Sequence, residues 1–317
     1  VNARTTSADA ADTRTAGTGA GVTVRVPAKV NVQLAVGAAR PDGFHDLASV
    51  FLAVSLFDEV TATPAGALTV TCSGPDADQV PLDRTNLAAR AAEVLAARAG
   101  ISPDVHLHIA KNIPVAGGMA GGSADGAAAL LACDALWGLD TPREDLLALC
   151  AELGSDVPFS LVGGAALGTG RGELLTPVEA GTFHWVFAVA HGGLSTPSVF
   201  REFDRLTEGV GVPVPQASPV LLAALASGDP DALAAALAND LQPAALSLRP
   251  QLAATLAAGA DAGALAGLVS GSGPTTAFLV RDAESAGKVA AALEASGTCR
   301  ATRITASPAP GATVVPA

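Results

Sequence analysis

Pro114, Val115, Ala116, Gly117, Gly118, Met119, Ala120, Gly121, Gly122, Ser123, Ala124 and Asp125 follow one another near the middle of the chain. An Ala- and Leu-rich stretch continues from them to about Trp137, where Gly138 closes it, and reads as a helix that begins where the glycines stop. Glycine lets consecutive backbone N–H groups turn into one hollow. The helix start adds unpaired N–H groups and a partial positive charge. Together they make an anion site suited to a di- or triphosphate. No Gly-Lys-Ser/Thr follows the glycines, and the spacing does not fit G-x-G-x-x-G. Taken alone, the run is also what a flexible strand-to-helix turn looks like. Ser123 offers a hydroxyl to Mg²⁺ or to a phosphate, or is simply a helix N-cap.

Outward from the loop, Val105–Ile109 alternates as a strand, with Val105, Leu107 and Ile109 on one face. His106 and His108 share the other face, which reads as exposed because no third ligand has metal spacing. Val22–Val26, Ala48–Leu56 and Ala67–Thr71 read as further strands. Thr85 or Asn86 caps a helix to Arg98, stopped by Gly100, and Arg143–Leu153 is a helix stopped by Gly154. Leu161–Leu167 and Trp185–Ala190 complete the strands of this part. Strands and helices mix without regular βαβ alternation, which predicts an α+β fold.

A boundary falls near Pro177–Thr182. Beyond it come helices at about Pro197–Leu206, Pro219–Ala226, Pro230–Leu237 and Arg249–Ala258. Leu268–Ser270 and Thr276–Val280 flank a second glycine-rich turn, followed by a helix at Ala283–Ser296 and a last strand at Arg300–Ile304. The organisation is a disordered tail at 1–21, a domain at 22–180, a second at 181–306 and a short tail at 307–317.

The chain has 317 residues, half of them apolar, which suffices for two packed domains. Aromatic residues make up 3% and Tyr is absent, so no base-stacking nucleic-acid platform is expected. A net charge of −12 repels nucleic acid and anionic membrane surfaces. Of 18 basic residues only Lys29, Lys111 and Lys288 are lysines, compact point charges suited to phosphate. Cys72, Cys133, Cys150 and Cys299 form no C-x-x-C pair and read as reduced thiols of a cytoplasmic protein. No long unbroken apolar run predicts a membrane span.

Pro114–Ala124 resembles the central motif, P-x-x-x-G-L-x-S-S-A in general form, of the GHMP small-molecule kinases. Five other stretches resemble motifs of one branch of that family, in the right order. They are Val26-Pro-Ala-Lys-Val-Asn31, Asp42-Gly-Phe-His-Asp-Leu47, Leu153-Gly-Ser-Asp-Val-Pro-Phe159, Asn239-Asp-Leu241 and Ser270-Gly-Ser-Gly273. That branch phosphorylates a cytidine diphosphate-linked alcohol in the non-mevalonate isoprenoid pathway. The resemblance spans about Val22 to Ile304 and implies a two-domain fold: an N-terminal mixed sheet with helices and a C-terminal ferredoxin-like domain. It also implies ATP as co-substrate with Mg²⁺, in a monomer or homodimer.

Residue by residue, the resemblance makes Asp156 the catalytic base, although on local grounds an Asp before Val157-Pro158 is an N-cap. Lys29, otherwise a solvated lysine at a strand end, becomes the cation that stabilises the developing oxyanion. Asn31, two residues on and on the same strand face, hydrogen-bonds the substrate hydroxyl or is structural. Phe44 stacks on the pyrimidine and His45 pairs with its edge; Phe replaces the more usual Tyr, so stacking survives and a phenol hydrogen bond is lost. Thr196 and Phe200, with Gly271, Ser272 and Gly273, close on the substrate from the second domain. Lys111 and Asn86 stand at the adenine end of the ATP site, a surface Lys being the alternative for the first. The rival functions are another GHMP kinase, acting on mevalonate, homoserine or a sugar, and a non-catalytic nucleotide sensor on the same fold.

Overall fold

The computed structural model describes residues 21–316; the tail expected before Gly21 lies outside the described residues. In chain order the elements are β1 Val22–Ala39, β2 His45–Pro64, β3 Thr69–Ser73, α1 Leu87–Ala99, β4 Val105–Ala110, α2 Gly121–Trp137, α3 Arg143–Leu153 and α4 Val157–Val162. There follow β5 Ala165–Thr169, β6 Leu174–Pro177, β7 Phe183–Val189, α5 Thr196–Leu206, α6 Pro219–Ser227, α7 Pro230–Ala236 and β8 Ala238–Asn239. The chain ends with α8 Gln242–Leu248, α9 Gln251–Asp261, β9 Ala266–Val269, β10 Thr276–Val280, α10 Ala283–Ser296, β11 Ala301–Ser307 and β12 Thr313–Val314.

Two sheets result. The first runs β12-β1-β2-β4-β3, with β5 and β6 extending from β2 and β8 lying parallel to β1. The second runs β11-β7-β10-β9, all antiparallel. Numbered by their order in the chain, its strands stand 4-1-3-2, the ferredoxin-like arrangement that was expected.

The 18-residue strand β1 organises the site. Val24, Val26, Ala28, Val30 and Val32 fall on one face by the two-residue period and enter the main core. Lys29, Asn31 and Gln33 occupy the opposite face, yet they are buried too, because the second half of the chain covers that face. Register shifts between Pro27 and Ala28 and between Asn31 and Gln33 bend the strand around this point. Helix α2 packs on the apolar side against β1, β2, α1 and α4 and is buried nearly all round. Its Ala and Gly side chains allow that close approach; a Cβ at Gly126 would already stand 3.2 Å from Leu87 Cβ.

Three expectations change. Leu161–Leu167 is not one strand: Pro158 sits in the first turn of α4, and Gly163, at φ 66°, breaks the chain before β5. Helix α8 was not foreseen, being only seven residues behind Asn239-Asp-Leu241. The stretch read as a C-terminal tail is docked: Thr313 and Val314 pair with Arg25 and Val24 of β1, and Ala309 is buried with Phe51 and Phe159. Deleting residues 308–317 therefore opens the cluster behind Phe51 and unpairs an edge of β1. A fall of about 4–8 °C in Tm is expected, checked by thermal unfolding of the shortened chain.

Candidate active site

Lys29 extends from the covered face of β1 and is 5% exposed. Its Nζ donates to Asn31 Oδ1 at 2.6 Å and stands 3.5 Å from Asp156 Oδ2, with the Phe51 ring 5.8 Å away. Asn31 Nδ2 in turn donates to Ser49 Oγ at 2.7 Å, and Ser49 Oγ donates to the Gln33 carbonyl at 3.3 Å. Each end of the Asn31 amide thus has a protein partner, and through its oxygen the side chain helps to aim Lys29. Ser49 was not anticipated; its one signal is a hydroxyl set within the apolar run of β2, a signal it shares with Ser55.

Asp156 occupies the N-cap position of α4, but its side chain makes no capping hydrogen bond. Its carbonyl holds the helix start instead, accepting from Ser160 N and Oγ, both at 3.2 Å. The carboxylate is left a third exposed and directed at Lys29. The N-cap reading was right about position and wrong about the work of the side chain.

Two glycine turns meet above this pair. A Cβ at Gly118, whose φ is +74°, would stand 2.1 Å from the Ser270 carbonyl oxygen, and Ser270 Oγ donates to the Gly118 carbonyl at 3.1 Å. Lys29 N donates to the Met119 carbonyl at 3.3 Å, tying the first turn to β1 as well. A Cβ at Gly271 would stand 3.1 Å from Asn31 Oδ1 and 3.2 Å from Lys29 Nζ. The Asn239 amide donates to the carbonyls of Val269 and Gly271 at 2.7 and 2.8 Å, and Asp240 accepts from Val36 N at 2.9 Å. Asn239-Asp-Leu241 is therefore the bracket that fastens the second turn to β1, a role the sequence did not reveal. Gly273 turns at φ 78°, and Ser272 exchanges a 2.8 Å hydrogen bond with Thr196 on α5.

Helix α2 begins at Gly121 after Ala120, which is at φ 59° and offers no side-chain cap. The first N–H groups of the helix are therefore free for an anion. Ser123 stands half-buried in that first turn. Lys111 is neither on the surface nor open to a nucleotide: its Nζ, 3% exposed as a residue, is held between Asp58 Oδ2 and Asp125 Oδ2, each at 2.6 Å. Asn86 caps α1, accepting from Ala88 N at 2.8 Å and donating to the Pro81 carbonyl at 2.7 Å. Both side chains predicted at the adenine are engaged with protein, and Lys111 supports the loop from below.

A third group forms at the β1–β2 hairpin. His45 is buried, with Nε2 2.8 Å from Asp204 Oδ1 on α5 and its ring 4.9 Å from Phe200 and 6.1 Å from Phe203. A carboxylate only accepts, so Nε2 carries the hydrogen of this bond. Asp204 was missed. Phe44 is 49% exposed at the tip, with the Arg171 guanidinium 5.3 Å from its ring centre. His106 and His108 hydrogen-bond the Thr71 and Ser73 hydroxyls on the outer strand, away from these groups. All four cysteines are free thiols, and burial pushes Cys133 and Cys150 up to about 12.

Residues 86–164 match the family description GHMP kinases N terminal domain, and residues 221–299 match GHMP kinases C terminal. The chain is 76% identical over 295 residues to a Streptomyces avermitilis protein named 4-diphosphocytidyl-2-C-methyl-D-erythritol kinase, covering 93% of this chain and 99% of that one. This chain belongs to the GHMP kinases. A Thermobifida fusca protein of the same name is 60% identical over 303 residues, covering 93% of this chain and 98% of its own. Among solved structures, a crystal structure of 4-(cytidine 5'-diphospho)-2C-methyl-D-erythritol kinase superposes with a TM-score of 0.73 at 32% identity, covering 90% of this chain and 99% of that one. The GHMP kinase fold thus brings its two glycine turns and the Lys29–Asp156 pair to one place, and among the described residues no helix is long and apolar enough to cross a membrane. Replacing Gly118 by Ala drives a methyl group into the backbone of Ser270, which cannot swing aside. A drop of about 10²-fold in kcat/KM is expected in steady-state assays of the folded variant.

Proposed function

We propose that this chain transfers the γ-phosphate of ATP to the 2-hydroxyl of 4-diphosphocytidyl-2-C-methyl-D-erythritol, giving the 2-phosphate and ADP. The observation that carries the reading is the uncapped Asp156 carboxylate, 3.5 Å from the buried Lys29 ammonium at the meeting of the two glycine turns. The substrate oxygen bonds to the γ-phosphorus while the bond from that phosphorus to the β,γ-bridging oxygen breaks, and ADP leaves with the electron pair. Asp156 accepts the hydroxyl proton, and Lys29 stabilises the charge that develops on the oxygens around the transfer. The N–H groups at the start of α2 and along Pro114–Ala124 hold the phosphates.

Mg²⁺ fits a site of this kind. Ser123, half-buried in the first turn of α2, would hold the ion through its hydroxyl oxygen. The ion would supply charge neutralisation on the β- and γ-phosphates. For the alcohol, the Phe44 face and the free Nδ1 of His45 suit a cytosine, with Phe200 and Thr196 on α5 closing the far side. This cluster favours the cytidine-linked substrate over mevalonate, homoserine or a sugar, and the Lys29–Asp156 pair favours turnover over a silent sensor. Within the same reading the enzyme works in the cytoplasm as a monomer or homodimer, on the non-mevalonate route to isoprenoid precursors. Its four free thiols support that compartment.

An ADP-release assay over 4-diphosphocytidyl-2-C-methyl-D-erythritol, mevalonate, homoserine and galactose tests the assignment. Turnover is expected on the first; turnover on another and none on the first overturns it. Asp156→Asn should lower kcat by about 10²–10⁴-fold while nucleotide binding, measured by titration, holds. Phe44→Ala should raise KM for the cytidine substrate by about 10-fold and leave KM for ATP alone.

A further inference from the structure

Under the phosphate loop lies a polar cluster that the transfer chemistry does not use. Asp58 comes from β2, Lys111 from the residue after β4 and Asp125 from the start of α2; each is at most 3% exposed. Lys111 Nζ lies 2.6 Å from one oxygen of each carboxyl group, and it would stand 2.9 Å from a Cβ at Gly121. The ammonium is therefore directly beneath the first residue of the helix whose N–H groups face the phosphates.

The two carboxyl groups are not equivalent. Asp58 Oδ1 accepts the N–H groups of Asn112 and Ile113 at 2.6 and 2.8 Å, and its Oδ2 accepts from Lys111, so both of its oxygens have donors. Asp125 Oδ1 is sealed from solvent and has no hydrogen-bond partner among the described residues. A full charge shared onto that oxygen would have neither donor nor water. Two ionised carboxylates on one ammonium would also leave a net negative charge in the interior. One proton on Asp125 takes the charge off that oxygen and leaves the cluster without a net charge.

We propose that Asp125 is a positioning residue for the nucleotide loop and that it works as a neutral acid. Its Oδ2 accepts from Lys111 and ties the first turns of α2 to β2 and β4, while the proton it retains keeps the triad electrically neutral. The titratable groups facing it are Asp58, Lys111 and, on β3, Cys72. Burial, opposed by Lys111 and reinforced by Asp58, holds the Asp125 carboxyl well above the ordinary carboxylate range. The effect on nucleotide binding rests on the ATP reading above; the protonation does not.

The test compares Asp125→Asn and Asp125→Ala with the wild type. In the unfolded chain Asp125 loses its proton near pH 4, whereas the folded chain keeps it to higher pH. Wild-type stability is then lost as pH rises from about 4 towards the folded pKa, and the uncharged Asn variant escapes that loss. The Tm of D125N minus that of the wild type should therefore increase with pH above about 4. A difference that stays flat or falls above about pH 4 means that Asp125 is ionised in the fold and overturns the neutral acid. If D125N does not fold, carbon-13 NMR of wild-type Asp carboxyls decides: one should keep its protonated shift at neutral pH, and all ionised overturns the proposal. For positioning, D125A should raise Kd and KM for ATP about 10-fold without changing KM for the alcohol, and D125N should recover most of that loss. An unchanged ATP affinity in D125A sinks the positioning role. A wild type that binds no ATP sinks the ATP reading, and the stability comparison still decides the proton.

Discussion

The backbone of Gly118 lies so close to the backbone of Ser270 that no side chain fits between them. These residues are 152 positions apart and belong to the two halves of the chain. Their contact covers the polar face of β1, and that cover is why Lys29 is buried without losing its charge partners. An ammonium in this setting acts at a lower effective dielectric than one in solution, so the same charge stabilises a transition state more strongly. The helix start, the second turn and Asp156 each gain their chemical meaning from being fixed around it. Glycine at 118 and 271 is therefore a packing requirement first and a source of backbone freedom second.

The negative chain still presents an anion site because the attraction comes mostly from backbone. Helix α2 directs its unpaired N–H groups at the loop, and the nearest side-chain cation below it, Lys111, is held with Asp58 and Asp125 in a triad of no net charge. Lys111 therefore adds support more than field. Lys29 is different: its close carboxylate neighbour, Asp156, is partly solvated and 3.5 Å away. A positive potential confined to one turn and one ammonium is local, and it leaves the −12 surface free to discourage polyanions.

The fold class and the glycine turn that leads into α2 were legible because their signals are local. Alternation marked β1 and β4, glycine stops marked α1 and α2, and the ferredoxin-like order followed from the resemblance. What failed were contacts between distant segments. Lys111 looked like a free cation because nothing near it in sequence shows that Asp58, 53 residues away, returns to meet it. Asp204, Ser49 and Asn239 went unnoticed as supports for the same reason: each is an ordinary polar residue until its partner arrives from another element. Asp156 looked like a cap because position predicts capping, whereas the side chain's direction depends on Lys29. The docked C-terminal strand was hidden by its Pro and Gly content, which resembles a linker but here turns the chain back onto β1.

Ala116 and Ala120 show how the loop balances freedom against order. Both sit in the left-handed region, at φ 51° and 59°, where an L-residue is disfavoured by roughly 1–2 kcal/mol. Glycine would remove that strain, but it would also widen the unfolded ensemble and cost about 0.5–1 kcal/mol in entropy relative to Ala. The two effects nearly offset, so fold stability hardly distinguishes the residues. Preorganisation does. A loop of glycines alone has more conformations to lose when it closes on a triphosphate, and that loss weakens binding. Alanine at two of the sharpest bends narrows the choice beforehand, while glycine is kept at 117, 118 and 121, where a methyl group would press on Thr275, Ser270 or Lys111.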